Sequence, residues 1–392
     1  MIDYLLLIGI LTAIFVGINI GGSSTAVAWG PAVGAGVIRK TTAAVVMTFF
    51  VFLGGWTVGR NVIDTLGGEI VPQSMFTLEA SIIVMFFIGF GMFVCNIFGV
   101  PISTSMSAVG AIAGYGLAIG TLNWEVMGRI VSWWVVTPVI AFWVGGVIGR
   151  YFYPYLDQYF ALQQSEGPLV VLDRSNTVPR PALGPGTTTR EFSSTVLVFV
   201  IGCYMAFSAG ASNVANAVAP LIGGGAIGVD AGIVLATFAI ALGSFTIARR
   251  TMDSVGHDVT ALPLLAATVV MVTAATITTV LSWLGIPISL AISTVFTIIG
   301  LGWGRASRSV SARDAISGSR DVELSVGAIA TETPGNGVPA VGEEEPEDLQ
   351  SAGELFDTTA VAKFIIFLII GPTVALVGSY LFFIVIPFAV MP

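Results

Sequence analysis

The stretch GASNVANAVAPLIGGG, residues Gly210–Gly225, lies within a long hydrophobic run and is nevertheless polar and rich in glycine. It contains Ser212, Asn213, Asn216 and a proline, which a plain membrane-spanning helix does not need. An unpaired backbone group at bilayer depth is costly unless it lines a cavity or binds a solute. We therefore predict a helix interruption here, whose free N–H groups attract an anion and whose oxygens suit a hard cation.

The same residue types admit a second interpretation based on packing alone. Small residues let membrane helices approach closely, and Ser or Asn can hydrogen-bond between helices. For an isolated block the two interpretations are equally good. Recurrence of such blocks in corresponding parts of the chain favours binding, because paired Gly/Pro-interrupted segments are typical of transporters.

The composition indicates a polytopic α-helical membrane protein. Hydrophobic residues make up 55% of the 392 residues and charged residues only 10%, and the mean hydropathy is +0.93. A soluble domain carries about 25% charged residues. The uncharged runs provide length for about 10–12 transmembrane segments. We expect a multi-pass protein of the cell membrane whose first helix is retained, since no basic segment of a cleaved signal precedes it.

The chain contains an internal duplication. Gly21–Ile38 aligns without gaps with Gly210–Ile227 at an offset of 189, and Gly99–Gly116 aligns with Gly285–Gly302 at an offset of 186. The matches include proline, glycine and serine positions, which chance similarity between apolar segments would rarely pair. The duplication, with Gly/Pro-interrupted segments at corresponding positions of the two halves, predicts broken helices and indicates a transporter.

Two polar segments set the expected domain boundaries. We expect a first transmembrane repeat at 1–150, a polar Pro-rich linker at 151–192 and a second repeat at 193–304. An acidic loop follows at 305–358, whose composition is typical of disorder, and a C-terminal transmembrane helix at 359–392 ends the chain.

The signature blocks resemble those of a known family. GASNVANA resembles the GANDVANA signature of the inorganic phosphate transporter (PiT) family, and MAFSAG upstream of it and PIST at 101–104 are also similar to that family. The resemblance implies a secondary active transporter of inorganic phosphate, built from two inverted repeats with broken helices that enclose a central site. It implies alternating access about this midplane site and a coupling cation, for which Na⁺ is expected in preference to H⁺. It implies no other cofactor, no metal site and no nucleic-acid partner; a homo-oligomer in the lipid bilayer is compatible with it.

The resemblance also implies a set of binding residues. Those expected to bind the anion are Ser23, Ser24, Thr25, Ser103, Thr104, Ser105, Ser212, Asn213, Asn216 and Ser289. Asn19 and Ser208 are expected to serve the coupling cation. Asp64 and Asp253 are added to this set on another ground, because they are near-membrane carboxylates that recur at the offset of 189. The two aspartates each follow an arginine by four residues, so an interfacial ion pair is the alternative role for them.

The chain departs from the family signature where the signature carries charge. The Asn-Asp pair of each signature reads Ser23-Ser24 in the first half and Ser212-Asn213 in the second, so both carboxylates are absent. The second PIST-like block continues as Leu290-Ala291, which lack hydroxyl groups. These departures leave the coupling ion open and keep another oxyanion, notably sulfate, as an alternative substrate.

Other function classes have weaker support. The absence of a nucleophile–base constellation argues against an enzyme, and the absence of a P-loop means that this chain does not drive transport by its own ATP hydrolysis. A non-transporting membrane sensor or scaffold descended from the family is the remaining alternative.

Overall fold

The computed structural model describes residues 4–34, 36–97, 103–159, 170–173, 180–185, 187–248, 264–309 and 358–386. The first half contains α1 (Tyr4–Gly34), α2 (Lys40–Thr57), α3 (Gly59–Asp64), α4 (Leu78–Ile97), α5 (Thr104–Ala118), α6 (Trp124–Val147) and α7 (Tyr153–Tyr159). A π-helical turn, Thr65–Glu69, extends α3, a 3₁₀ turn, Gln73–Met75, precedes α4, and a second π-helical turn, Ile148–Phe152, joins α6 to α7.

The second half begins after a short antiparallel pair of strands, β1 (Val170–Asp173) and β2 (Arg180–Leu183). It contains α8 (Thr189–Gly223), α9 (Val229–Thr246), α10 (Leu264–Trp283), α11 (Leu290–Ala306) and α12 (Thr358–Val385), with a 3₁₀ turn, Ser307–Ser309, after α11. Apart from the strand pair, the described elements are all helical, as the sequence predicts.

Eight helices of the described part of the chain are long and apolar enough to cross a membrane. Two further helices, α5 and α11, have only 15 and 17 residues. At about 1.5 Å per residue both fall short of the roughly 30 Å of a hydrocarbon core. The eight full spans are fewer than the 10–12 expected, because apolar length alone does not reveal where a run is divided between helices.

The two halves fold into equivalent helices. The first and last residues of α2 and α9 differ by the same offset of 189, and those of α4 and α10 by the same offset of 186. Gly36 and Gly225, which follow α1 and α8 at equivalent positions, share a left-handed conformation with φ of 71° and 68°. Helix α1 packs on α9 and α2 packs on α8, so each half lays its first helix against the second helix of the other.

Glycines set the distance between these interlocked helices. A methyl group at Gly21 would lie 2.0 Å from the carbonyl oxygen of Ile240, and one at Gly210 would lie 2.2 Å from that of Val51. Gly21 and Gly210 are equivalent positions of the two halves. Backbones that approach this closely exclude any side chain, so the packing interpretation is correct for these two signature glycines.

The predicted interruption of the signature stretches is wrong. Helix α1 runs unbroken through residues 21–31, and α8 runs unbroken through residues 210–220. Pro31 and Pro220 lie in the last turns of their helices, so each removes one hydrogen bond near a helix end and leaves the signature stretch before it helical. Every residue of α8 from Ser208 to Leu221 is buried, so the stretch faces protein and not lipid.

The helix breaks lie instead before α5 and α11. Helix α10 ends at Trp283, the chain turns at Gly285 with a φ of 73°, and residues 286–289 are not helical before α11 begins at Leu290. In the first half, α5 begins at Thr104, 186 residues earlier. Residues 98–102, 160–169, 174–179 and 186 of the linker region, and 310–357 of the acidic loop, lie outside the described residues, so the domain boundaries stay predictions.

The close helix crossings make a mutational prediction. We expect Gly243→Ala to lower the melting temperature of the detergent-solubilised protein, because the new methyl group would lie 2.2 Å from the carbonyl oxygen of Ile18. Overpacking of this kind costs about 1–3 kcal/mol or more. The matched control is Gly128→Ala on α6, where a methyl group would meet nothing within 4 Å. Equal melting temperatures for the two variants would contradict the close crossing.

Candidate functional site

A small cavity lies where the two signature helices meet the starts of α5 and α11. Its lining consists of Ser23, Ser24, Val27, Thr104, Asn213, Ser289, Leu290 and Ala291. The cavity has a volume of about 20 Å³, which is room for about one water molecule. None of its lining residues carries a charge, so the site offers only neutral hydrogen-bonding groups and backbone.

Asn213 is the centre of the hydrogen-bond network in this cavity. Its amide nitrogen donates to Ser24 Oγ over 3.1 Å, and its Oδ1 accepts from Thr104 Oγ1 over 2.6 Å and from Asn216 Nδ2 over 3.3 Å. Ser24 and Asn213 are equivalent positions at the offset of 189. Because equivalent side chains touch each other, the cavity lies where the two halves meet.

A second set of contacts satisfies the non-helical backbone before α11. The carbonyl oxygen of Ile288 accepts hydrogen bonds from Ser105 Oγ over 2.9 Å and from Ser212 Oγ over 2.8 Å. Trp134 Nε1 donates to the carbonyl of Pro287 over 2.9 Å. Hydroxyl groups of α5 and α8 and an indole of α6 therefore replace the hydrogen bonds that a continuous helix would supply.

The starts of α5 and α11 supply free backbone donors. Ser103 and Ser289 cap the two helices, each accepting through Oγ from the N–H three residues further on over 3.3 Å. The first two N–H groups of each helix find no acceptor among the described residues; they belong to Thr104, Ser105, Leu290 and Ala291. Orphan donors at two buried helix starts, aided by the helix dipoles, form an environment that favours an anion.

Asn216 completes the polar cluster just beside the cavity. Its Nδ2 donates to Ser105 Oγ over 3.1 Å and to Thr104 Oγ1 over 3.3 Å. The residue has no exposed surface, and its Oδ1 has no hydrogen-bond partner among the described residues. A buried acceptor without a partner is costly, so this oxygen is available to a bound solute or ion.

Comparison with known proteins places this arrangement in a family. A model of the phosphate transporter family matches residues 20–323. The chain belongs to the phosphate transporter family. The resemblance drawn from the signature is thereby confirmed, and the protein is a multi-pass membrane transporter and not an enzyme.

Relatives of the transporter include proteins named for two different anions. The sulfate permease CysP of Bacillus subtilis is 31% identical over 305 residues, which cover 78% of this chain and 79% of CysP. PF1020 of Pyrococcus furiosus, provisionally named a phosphate permease, is 26% identical over 374 residues, covering 79% of this chain and 90% of that protein. A solved structure of a sodium-dependent phosphate transporter shares the fold, with a TM-score of 0.68, 20% identity and coverage of 97% of this chain and 99% of the other.

Most residues expected to bind the anion come together in the transporter. Five of them line the cavity, namely Ser23, Ser24, Thr104, Asn213 and Ser289. Four others form hydrogen bonds beside the cavity, namely Ser103, Ser105, Ser212 and Asn216. Thr25 does not join them. Its hydroxyl lies 2.6 Å from Ser244 Oγ on α9 and donates to the carbonyl of Gly21, so it belongs to the interface between helices.

The residues expected to serve the cation do not assemble around the cavity. Asn19 accepts from Asn96 Nδ2 over 2.9 Å, and Ser208 donates to the carbonyl of Ala275 over 3.0 Å. Neither residue lines the cavity. Asp253 lies outside the described residues.

Asp64 lies on an exposed part of α3, away from the cavity lining. Partial removal from water raises the pKa of its carboxyl group, nearby Glu69 raises it further, and Arg60 opposes the shift. Arg60 forms its ion pair with Asp230 at the start of α9, over 2.6 Å, instead of with Asp64. The four-residue spacing of Arg60 and Asp64 predicted that they share a helix face. It could not reveal that Arg60 pairs with Asp230, which belongs to the other half of the chain.

Sequence reasoning missed two contributors to the site. One is Trp134, whose bond to the carbonyl of Pro287 joins residues far apart in sequence. Leu290 and Ala291 were counted as losses because their side chains are apolar, whereas their backbone N–H groups remain free to donate.

The network around Asn213 leads to a binding prediction. We expect Asn213→Leu to abolish oxyanion binding, because leucine removes the donor to Ser24 and the acceptor of Thr104 while filling the cavity. Isothermal titration of the purified transporter with sulfate and with phosphate measures the loss. The matched control is Thr25→Val, which changes a buried threonine outside the cavity and reproduces the valine found at the equivalent position, Val214. Unchanged affinity in Asn213→Leu, or an equal loss in Thr25→Val, would place the site elsewhere.

Proposed function

We propose that the transporter carries a tetrahedral oxyanion by cation-coupled alternating access, and that sulfate is preferred over phosphate. The observation that supports this most directly is a cavity lined by free backbone donors and hydroxyl groups with no carboxylate. Such a lining suits a solute that only accepts hydrogen bonds. The substrate would lie between the starts of α5 and α11.

The protonation of the two anions decides between them. Sulfate carries no proton near neutral pH, whereas phosphate keeps one and must donate it to an acceptor. A carboxylate is the strongest neutral-pH acceptor for such a proton, because the hydrogen bond is charge-assisted. Ser24 and Asn213 occupy the positions where the family signature has aspartate. The cavity lining therefore has no carboxylate to accept the proton of phosphate, and no negative charge to repel a dianion such as sulfate. The similarity to CysP supports the same choice.

Phosphate is the second candidate, and a specific observation favours it. Asn216 Oδ1 is a buried acceptor without a partner among the described residues, and it could accept the proton of a phosphate. The family and PF1020 point to the same substrate. An amide oxygen is a weaker hydrogen-bond acceptor than a carboxylate. Asn216 would therefore bind the proton of phosphate less strongly than the aspartates of the family signature, which this chain lacks.

The absence of charge in the lining also favours Na⁺ over H⁺ as the coupling ion. A dianion in an uncharged, buried site is strongly disfavoured unless a cation accompanies it. The cavity lining and the cluster beside it contain no Asp, Glu or His to bind a proton. Oxygen ligands for Na⁺ are present in the amide of Asn216 and the serine hydroxyl groups.

The size of the cavity implies that the halves move during transport. A volume of about 20 Å³ holds about one water and not an oxyanion with five heavy atoms. Binding therefore requires α5 and α11 to separate from α1 and α8. Motion of this kind around a fixed site is the expected form of alternating access.

Uptake into proteoliposomes tests the proposal. We expect radiolabelled sulfate to accumulate under an inward Na⁺ gradient, with little accumulation when choline replaces Na⁺, and excess unlabelled sulfate to compete better than excess phosphate. Liposomes without protein provide the background. Uptake of phosphate alone would select the second candidate, uptake driven by a pH gradient without Na⁺ would reject sodium coupling, and anion binding without uptake would indicate a non-transporting sensor or scaffold.

Restoring a carboxylate tests the basis of selectivity. Asn213→Asp keeps the acceptor for Thr104 and Asn216 and lets Ser24 donate in place of accepting, so the network can persist. We expect sulfate uptake to fall about tenfold or more because like charges repel strongly in a poorly hydrated site. Phosphate uptake, measured in parallel, should fall less or rise. An unchanged ratio of the two rates would contradict this account of selectivity.

A further inference from the structure

Two adjoining cavities outside the transport site follow one face of α8. The inner one is a groove between α8, α10 and the helical stretch formed by the second π-helical turn and α7, and the outer one lies where α7 ends and α8 begins. Each has a volume of about 460 Å³, within the range of small-ligand sites. Ser194 lines both cavities, so they meet at this residue.

The inner groove is apolar and lies among membrane-spanning segments. Its lining on α8 includes Leu197, Val198 and Ile201, and its lining on α10 includes Val269 and Val272. Helices α8 and α10 are both long and apolar enough to cross a membrane, as is the helical segment 124–159 on the third side. The medium next to such a groove is hydrocarbon, so an acyl chain is the occupant that matches it.

The outer cavity is polar and carries a single charge among its described lining residues. It is lined by Gln158, Tyr159, Thr189, Arg190, Ser193 and Ser194. Arg190 Nε donates to the carbonyl of Tyr159 over 2.6 Å, and Nη2 donates to the carbonyl of Gln158. A guanidinium has five N–H donors, so Arg190 is held in place by α7 and keeps donors for an anionic group.

Aromatic residues place this outer cavity at the membrane surface. Tyr151, Tyr155 and Tyr159 are 49%, 59% and 76% exposed along the end of the 124–159 segment. Exposed tyrosines and arginines at the end of a spanning helix are typical of the headgroup region. The outer cavity therefore lies at the depth of lipid phosphates, and the inner groove extends from it into the bilayer.

Ser194 provides a polar group between the outer cavity and the inner groove. It is only 1% exposed, and its Oγ has no hydrogen-bond partner among the described residues. It follows Arg190 by one helical turn, which is about 6 Å along α8. The ester oxygens of a glycerophospholipid lie between its phosphate and its acyl chains, so this hydroxyl is placed to donate to one of them.

An arginine, a buried hydroxyl group and an apolar groove follow one another along one face of α8. From this order we propose that the two cavities form a binding site for an anionic phospholipid. Arg190 binds the phosphate region, Ser194 donates to an acyl ester, and one acyl chain fills the groove between α8 and α10. A helix of a second copy would match the apolar groove but would have no use for Arg190 or for the free hydroxyl group of Ser194. The proposal is independent of the anion that the transporter carries.

Native mass spectrometry of the delipidated full-length transporter tests the site. The probes are phosphatidylglycerol and phosphatidylcholine with identical acyl chains, added in equal amounts. We expect tighter binding of phosphatidylglycerol, and we expect Arg190→Gln to reduce this preference about fivefold, the size of effect expected for one basic residue at a membrane surface. The charge control is Arg39→Gln, which removes an exposed arginine next to α2.

A second pair of variants tests the groove itself. Val272→Trp fills the groove and should weaken the binding of both lipids, whereas Val280→Trp changes a valine of the same helix that is 50% exposed outside the groove and should leave both unchanged. Ser194→Ala should weaken both lipids without changing the preference between them. The proposal is overturned if Arg190→Gln and Arg39→Gln behave alike, or if Val272→Trp leaves lipid binding intact and instead dissociates a dimer, which would assign the groove to a second copy.

Discussion

The site depends on one constraint of membrane folding, that a helix starting inside the protein leaves backbone N–H groups that must find partners. Helices α5 and α11 both start among buried residues, and the serines that cap them accept from only one N–H each. The donors that remain converge on a cavity without any charged side chain. An anion is the solute that such donors favour, which is the basis for proposing this cavity as the transport site.

The signature helices serve this constraint without breaking. Because α1 and α8 remain continuous, they can hold Ser24 and Asn213 in contact, and α8 can also present the hydroxyl group of Ser212 to the carbonyl of Ile288. Glycines on the same two helices allow α9 and α2 to cross them at backbone distance. The mixture of glycine, serine and asparagine in the signature stretches thus combines two roles, since glycine allows close packing and the polar side chains line the cavity.

The sequence predicted the helical membrane fold, the internal repeat and most polar residues of the cavity, because residue types at a fixed offset are visible without coordinates. It did not predict where the helices break, because Pro31 and Pro220 resemble breakers until their distance from the helix ends is known. Thr25 was misplaced for a related reason: it follows Ser24 by one residue, which rotates its side chain by about 100° around α1 and turns it to Ser244. The contacts of Trp134 with Pro287 and of Arg60 with Asp230 join distant segments, so no local pattern could reveal them.

The most direct test of the central claim is a structure determined with selenate, a sulfate analogue whose heavy atom gives an anomalous signal. The account predicts one anomalous peak between the two helix starts, within hydrogen-bonding reach of the backbone nitrogens of Thr104 and Leu290. A peak at another place in the protein, or none at concentrations that support sulfate uptake, would contradict it.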